Sequence, residues 1–264
     1  MTEFEAKEYW ETRLAEHPGL RGVGFVRLGR RYNEWLYRVR RHVFLRHVRA
    51  VSSRPSDVDV LDVGSGTGFY LDLWRELGVR SVVGSDLTEV AVHALRRRNP
   101  GVEVHQLDIG GDLGPLAGRE FGIVSAMDVL FHIVEDDRFE RAIKQVRSLL
   151  GPGGLFIWSD NFVHQQTVRI PHQVSRSLDS IEGTLGACGL EVVERRPMFV
   201  LMNGPADTRS PLLKGWWLAL RAMVSLGEPM GRSLGALLYP VELLLTRLLR
   251  ESASTELMIC RAVG

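Results

Sequence analysis

The chain has 264 residues, of which 45% are apolar and 25% charged, with a formal net charge of +1 at pH 7. That is enough apolar material for a full core in one α/β domain with additions, and it supplies no global attraction for nucleic acid or a strongly acidic partner. Two cysteines, Cys188 and Cys260, read as reduced thiols and not a disulfide framework, which favours the cytoplasm. The N-terminus, MTEFEAKEYWETRL, lacks the apolar core of a signal peptide. Every apolar run is broken by charge before the ~18 residues of a membrane span.

Residues 1–54 read as a helical, basic leader in which 27–49 hold eight arginines against one glutamate. Trp35, Leu36, Val39, Val43, Phe44 and Val48 recur at helical spacing, predicting an amphipathic helix with a cationic outer face. Residues 55–203 then alternate strand-like runs (VDVLDVG, SVVGSD, VEVHQLD, FGIVSAMDVL, GLFIWSDNF) with helical ones (FYLDLWRELG, TEVAVHALRRRN, DDRFERAIKQVRSLLGPGG). This alternation predicts βαβ units and a doubly wound parallel sheet covered on both faces. A helix, SLDSIEGTLGACG, and a strand, LEVVERRPMFVLMN, follow. Residues 204–254 predict two further helices separated by Gly227, Pro229 and Gly231, and 255–264 hold the final strand.

The first strand ends in VLDVGSGTGFY. A strand turning into a helix through glycines aims backbone N–H groups and a positive helix end at a ligand. The nicotinamide fingerprint G-x-G-x-x-G would need a third glycine where Phe69 stands. The pattern is instead D-x-G-x-G-x-G, and an acidic residue at the strand end repels phosphate but suits an ammonium group.

Together with three later segments, this loop resembles the class I S-adenosylmethionine (SAM)-dependent methyltransferase family, over about 58–203 and the last strand. LDVGSGTG is similar to its first motif, VVGSDLT to the second, HQLDI to the third and SAMDVLFHI to the fourth. The resemblance implies a Rossmann-like, seven-stranded, mostly parallel sheet with an antiparallel last strand, and SAM as cofactor. It assigns Gly64, Ser65, Gly66 and Gly68 to the methionine portion, with Asp62 helping to hold the charged end. Asp86 would accept from the ribose hydroxyls and Leu87 would lie on the adenine. Asp108 and Ile109 would contact the adenine amino group and ring, and Asp128 would close the methionine end. The chain departs from the family by inserting 204–254 before the last strand.

A hydroxyl nucleophile is helped by a general base, most often histidine; His132 and His164 follow strand ends and are the two candidates. His172 and Arg176 are placed to orient a polar or anionic substrate group. No His/Asp/Glu cluster has metal-ligand spacing, so a metal-independent reaction is expected. In the leader, Tyr9 and Arg13 are candidate cofactor contacts and Tyr32 and Trp35 candidate substrate contacts, since aromatic faces suit a sulfonium. Trp216 heads the first inserted helix and is a further candidate for the substrate. Leu237, Leu238, Val241, Leu244, Leu245, Leu248 and Leu249 form a wide stripe that suits a lid, a homodimer interface or peripheral membrane contact.

The expectation is a SAM-dependent O-methyltransferase of an apolar-bodied small molecule, such as a secondary metabolite or lipid-like compound, with no nucleic-acid partner. C- or N-methylation, with or without cyclisation, is the alternative chemistry. A non-catalytic SAM-binding scaffold is the alternative of another class.

Overall fold

A computed structural model describes residues 6–17, 19–52 and 54–263. In chain order the elements are α1 (Ala6–Glu16), α2 (Leu20–Val23), α3 (Gly29–Val51), β1 (Asp59–Val63), α4 (Phe69–Glu76), β2 (Ser81–Asp86), α5 (Glu89–Arg98), β3 (Glu103–Gln106), β4 (Phe121–Met127), α6 (Asp136–Ser148) and β5 (Leu150–Asp160). After them come β6 (Val168–Ile170), β7 (Gln173–Ser175), α7 (Leu178–Ala187), β8 (Leu190–Pro197), α8 (Pro211–Val224), α9 (Glu228–Leu248) and β9 (Glu256–Ala262). The main sheet has seven strands in the order β3-β2-β1-β4-β5-β9-β8. β9 runs antiparallel to both neighbours while the strands from β3 to β5 are parallel. This is the Rossmann-like methyltransferase fold that the motif order implies.

The strands nearest the centre are apolar on both faces because helices cover both. Val60 and Ile157 pack with the leader and insertion, whereas Leu61 and Trp158 pack with α6 and α7. Strand order reverses between β1 and β4, and the carboxyl ends of such strands border the crevice in which open α/β sheets bind ligands.

Local detail departs from the sequence pattern in three places. The run DDRFERAIKQVRSLLGPGG predicts one helix, but α6 stops at Ser148 and its tail enters β5. The run LEVVERRPMFVLMN predicts a strand to Asn203, but β8 ends at Pro197. The next turn is held by the Glu242 carboxylate, which accepts from the backbone N–H groups of Val200 (2.7 Å), Leu201 (2.9 Å) and Met202 (3.3 Å). A buried side chain of α9 thus outcompetes continued sheet pairing. The small β6–β7 hairpin had no sequence signal.

α9 packs along α3. Gly235 makes this approach feasible: a Cβ there would lie 2.2 Å from Trp35 Cδ1. Leader and insertion therefore form one helical layer over the sheet.

Candidate active site

β1 delivers Val63 to a turn in which Gly64, Gly66 and Gly68 all take positive φ, at 68°, 52° and 84°. Such angles suit glycine. A side chain at Gly64 would also strike Val129, whose Cγ2 would be 2.4 Å from the added Cβ. Asp62 lies beneath this turn, fully buried. Its Oδ1 accepts from Ser125 Oγ at 2.6 Å, while Oδ2 has no hydrogen-bond partner. Burial pushes its carboxyl up to about 6, against the Ser125 hydrogen bond that favours ionisation. An uncompensated buried carboxylate oxygen calls for a cation.

At the end of β2, Asp86 faces the same crevice. Oδ1 accepts from the backbone N–H (3.0 Å) and Oγ1 (2.7 Å) of Thr88, and Oδ2 accepts from the Gly66 N–H at 2.8 Å. That leaves acceptor capacity on Oδ2 alone. Burial raises this carboxyl too, although three hydrogen bonds oppose the shift. Asp108 accepts from the Gly110 N–H at 3.0 Å and pairs with Arg138 at 2.5 Å. The crevice wall comprises Gly64, Ser65, Gly66, Asp86, Leu87, Asp108, Ile109 and Asp128, with Trp10 and Leu14 of α1 closing it from above. Gly68 and Asp62 lie outside the wall and shape or charge it from behind.

A second cavity, of about 1360 Å³, meets this crevice at Trp10, Val23, Tyr37, Asp128 and His132. At the junction Asp128 has a positive φ of 59°, rare for a non-glycine residue. Ser159 fixes it: its Oγ donates to Asp128 Oδ1 at 2.8 Å, and the Asp128 N–H donates back to that Oγ at 3.0 Å. Oδ2 forms a close ion pair with Arg40 of α3. Burial pulls the Arg40 guanidinium down, but Asp128, Tyr70 and Tyr37 together outweigh burial and hold it charged. Arg40 also lies 4.9 Å over the Phe199 ring.

His132 Nδ1 donates to the His172 carbonyl at 2.9 Å, which leaves the Nε2 lone pair free of that bond. The ring meets Trp10 edge-on at 4.8 Å. Burial takes the imidazole down to about 4, so it is neutral at pH 7. Above it, Tyr9 stacks on His172 at 5.6 Å, and Arg13 Nη1 donates to Tyr9 Oη at 2.8 Å.

Residues 60–154 match the family model described as a methyltransferase domain. A tRNA U34 carboxymethyltransferase of Pseudoalteromonas translucida is 31% identical over 132 residues, which are 48% of this chain and 38% of that protein. The chain thus spans little more than a third of that relative's length. A ubiquinone biosynthesis O-methyltransferase of Brucella anthropi is 25% identical over 177 residues, covering 60% and 69% of the two chains. The CcbJ methyltransferase of Streptomyces caelestis superposes over 99% of this chain and 100% of its own at a TM-score of 0.57 and 16% identity. Residues 60–154 therefore form a methyltransferase domain, and the fold around them is the one that class I SAM-dependent methyltransferases share.

SAM fits the residues of this methyltransferase domain. The orphaned Oδ2 of Asp62 offers negative charge for the cationic amino-acid end, Gly64 and Gly66 line the crevice with bare backbone, and Asp86 Oδ2 can still accept.

The remaining predicted residues divide. Tyr9, Arg13 and His172 line the second cavity and not the cofactor crevice, which corrects the cofactor assignment of Tyr9 and Arg13. His164 stands apart from both cavities. Its Nδ1 donates to Asp207 at 2.5 Å and its Nε2 to Glu251 at 3.1 Å, with Asp207 raising its proton affinity; no lone pair is left for a base. Arg176 is buried, bonded to Asp136 and the Ile133 carbonyl and stacked 3.9 Å over Phe139, and lines neither cavity. Tyr32 is wholly buried and donates to the Met202 carbonyl at 2.9 Å. Trp35 packs on Tyr239 at 5.4 Å, and Trp216 donates to the Leu201 carbonyl at 2.9 Å; neither lines the crevice or the second cavity. These aromatic residues join the leader to the insertion.

Sequence reasoning missed Arg40, Asn161 and Trp217, all lining the second cavity. Arg40 had a signal: it sits four residues from both Leu36 and Phe44, a charge on the apolar face of its helix.

Proposed function

We propose that the protein methylates a hydroxyl of an apolar-bodied small molecule, with SAM as donor and His132 Nε2 as proton acceptor. The observation that carries this reading is the junction of the two cavities at Asp128 and His132. Burial holds the His132 imidazole neutral, and its tautomer is set by the His172 carbonyl. Bound SAM supplies an electrophilic methyl group on a sulfonium.

The acceptor hydroxyl bonds to the methyl carbon as the carbon–sulfur bond breaks, the electron pair leaving with sulfur and the hydroxyl proton passing to Nε2. A methylated oxygen that still carries its proton is a far stronger acid than an imidazolium, so even a weakened base takes it. Asp128 and Arg40, locked together, keep the junction rigid and leave no loose charge to attract water. Trp10 covers the crevice from α1. Phe25, Val26, Leu36, Phe131, Ile170 and Trp217 supply the apolar part of the second cavity, which supports an apolar acceptor.

The test is product mass after incubating the protein and SAM with phenols and alcohols of graded apolar size, with tRNA as a separate arm. An added methyl on a small-molecule hydroxyl, lost in His132→Gln with SAM affinity retained, is the expected result. Methylation of tRNA alone would overturn the substrate class, and full activity of His132→Gln would remove the base.

A further inference from the structure

The insertion presents apolar side chains to solvent on both of its helices. Leu237, Leu244 and Leu248 are 70%, 54% and 69% exposed along one stripe of α9, and Leu212 and Leu218 of α8, with Leu226 just beyond it, are 82%, 64% and 74% exposed. Positions 237, 241, 244 and 248 recur at helical spacing, so these side chains project together, opposite the Gly235 and Glu242 face that packs on α3 and the turn after β8. Contiguous exposed apolar area of this kind marks an interaction surface.

Charge identifies the occupant. Every acidic side chain of the insertion is engaged with the rest of the protein. Asp207 and Glu251 hold His164, and Glu251 also holds Arg195; Glu228 accepts from the N–H groups of Arg30 and Arg31; Glu242 accepts from the turn after β8. The cations of the same segment are Arg209, Lys214, Arg221, Arg232, Arg247 and Arg250. None of them pairs with a carboxylate among the described residues. Arg247 stands about a quarter-turn from the apolar stripe of α9, and Lys214 stands about 40° round α8 from Leu218. Arg247 bonds the neutral His42 ring at 3.1 Å, and apolar ridges edged by cations with no carboxylate partner match the interface of an anionic bilayer, where the ridges enter the headgroup boundary and the cations meet phosphates.

A second copy of this chain is the weaker fit, because a two-fold contact would bring like cations together while the exposed carboxylates of Glu228 and Glu251 are already engaged within their own chain. Among the described residues no helix is long and apolar enough to cross a membrane. We propose that α8 and α9 seat the protein in the plane of an anionic lipid surface. Trp217 and Arg221, on the inner side of α8, line the second cavity, so one helix serves both the docking face and the substrate-side space.

The test is co-sedimentation of the full chain with phosphatidylcholine vesicles, with and without about one-third phosphatidylglycerol, alongside sedimentation velocity of the free protein. Binding to the anionic vesicles at least about tenfold tighter than to neutral ones, weakening with salt, is expected from roughly 1 kcal/mol per cation near such a surface. A Leu237→Ser/Leu244→Ser variant should lose vesicle binding with its melting temperature and SAM affinity unchanged. Lys214→Gln/Arg247→Gln should lose the preference for anionic lipid. Failure to bind either vesicle overturns the proposal. So does a wild-type dimer in solution that the double serine variant converts to monomer, which would assign the face to a second copy. Equal binding to both vesicle types overturns the anionic requirement.

Discussion

Asp62 sits on a conflict between stability and cofactor binding, and Asp62→Asn separates the two. Its carboxyl is raised from 3.8 to about 6 by burial. The folded state therefore holds the proton more tightly than the unfolded chain, so ionisation weighs against folding in the free protein. The stabilisation from the bound proton is complete below pH 3.8 and is lost as pH rises through about 6. That shift corresponds to roughly 3 kcal/mol at neutral pH and above. Asparagine keeps the acceptor for Ser125 but places an unpartnered N–H₂ where Oδ2 stands, which offsets about 1–2 kcal/mol. The free variant should then be more stable than wild type by about 1–2 kcal/mol at about pH 8, a rise of a few degrees in Tm. Its advantage should shrink as pH falls from about 6 towards 4. SAM affinity should drop about tenfold, since roughly 1.4 kcal/mol of attraction for the amino group is lost. Thermal melts across this pH range, paired with SAM titration, provide the assay. A variant that is no more stable at about pH 8, or whose advantage does not change with pH, would refute the argument.

Arg40→Met should leave Asp128 without its cation and cost about 2–3 kcal/mol in chemical denaturation. Adding Asp128→Asn should recover much of that stability but not the turnover. His164→Ala should leave turnover intact. Because Asp207 raises the folded-state proton affinity of His164, its stabilising effect is full below its ordinary pKa and fades above it, so the Tm gap to wild type should narrow from about pH 6 to 8. Glu242→Ala should orphan the three N–H groups of 200–202 and cost about 3 kcal/mol, with faster amide exchange confined to that turn at first.

The cofactor crevice was readable because its parts are local. Each strand ends in its own functional group, Asp62, Asp86, Asp108 or Asp128, and the glycines declare a turn whose shape only they adopt easily. The second cavity was not readable in the same way. Its walls come from α1, α3, the β6–β7 hairpin and α8, and which faces of these elements turn inward depends on α3 meeting α9 across about two hundred residues of chain. Tyr32, Trp35 and Trp216 carry the residue types a substrate site uses, yet the contact through Gly235 and the Glu242 cradle consume them as packing. His164 failed for a related reason: its two carboxylate partners lie in the insertion, far away in sequence. Arg40 is the counterexample, a charge on an apolar helix face that local periodicity alone could have flagged.

Calorimetric titration of the protein with SAM, S-adenosylhomocysteine and NAD tests the account at its centre. One-site, saturable binding of the first two with no heat from NAD is the predicted result. Binding of NAD alone would contradict the reading of the glycine turn and everything built on it.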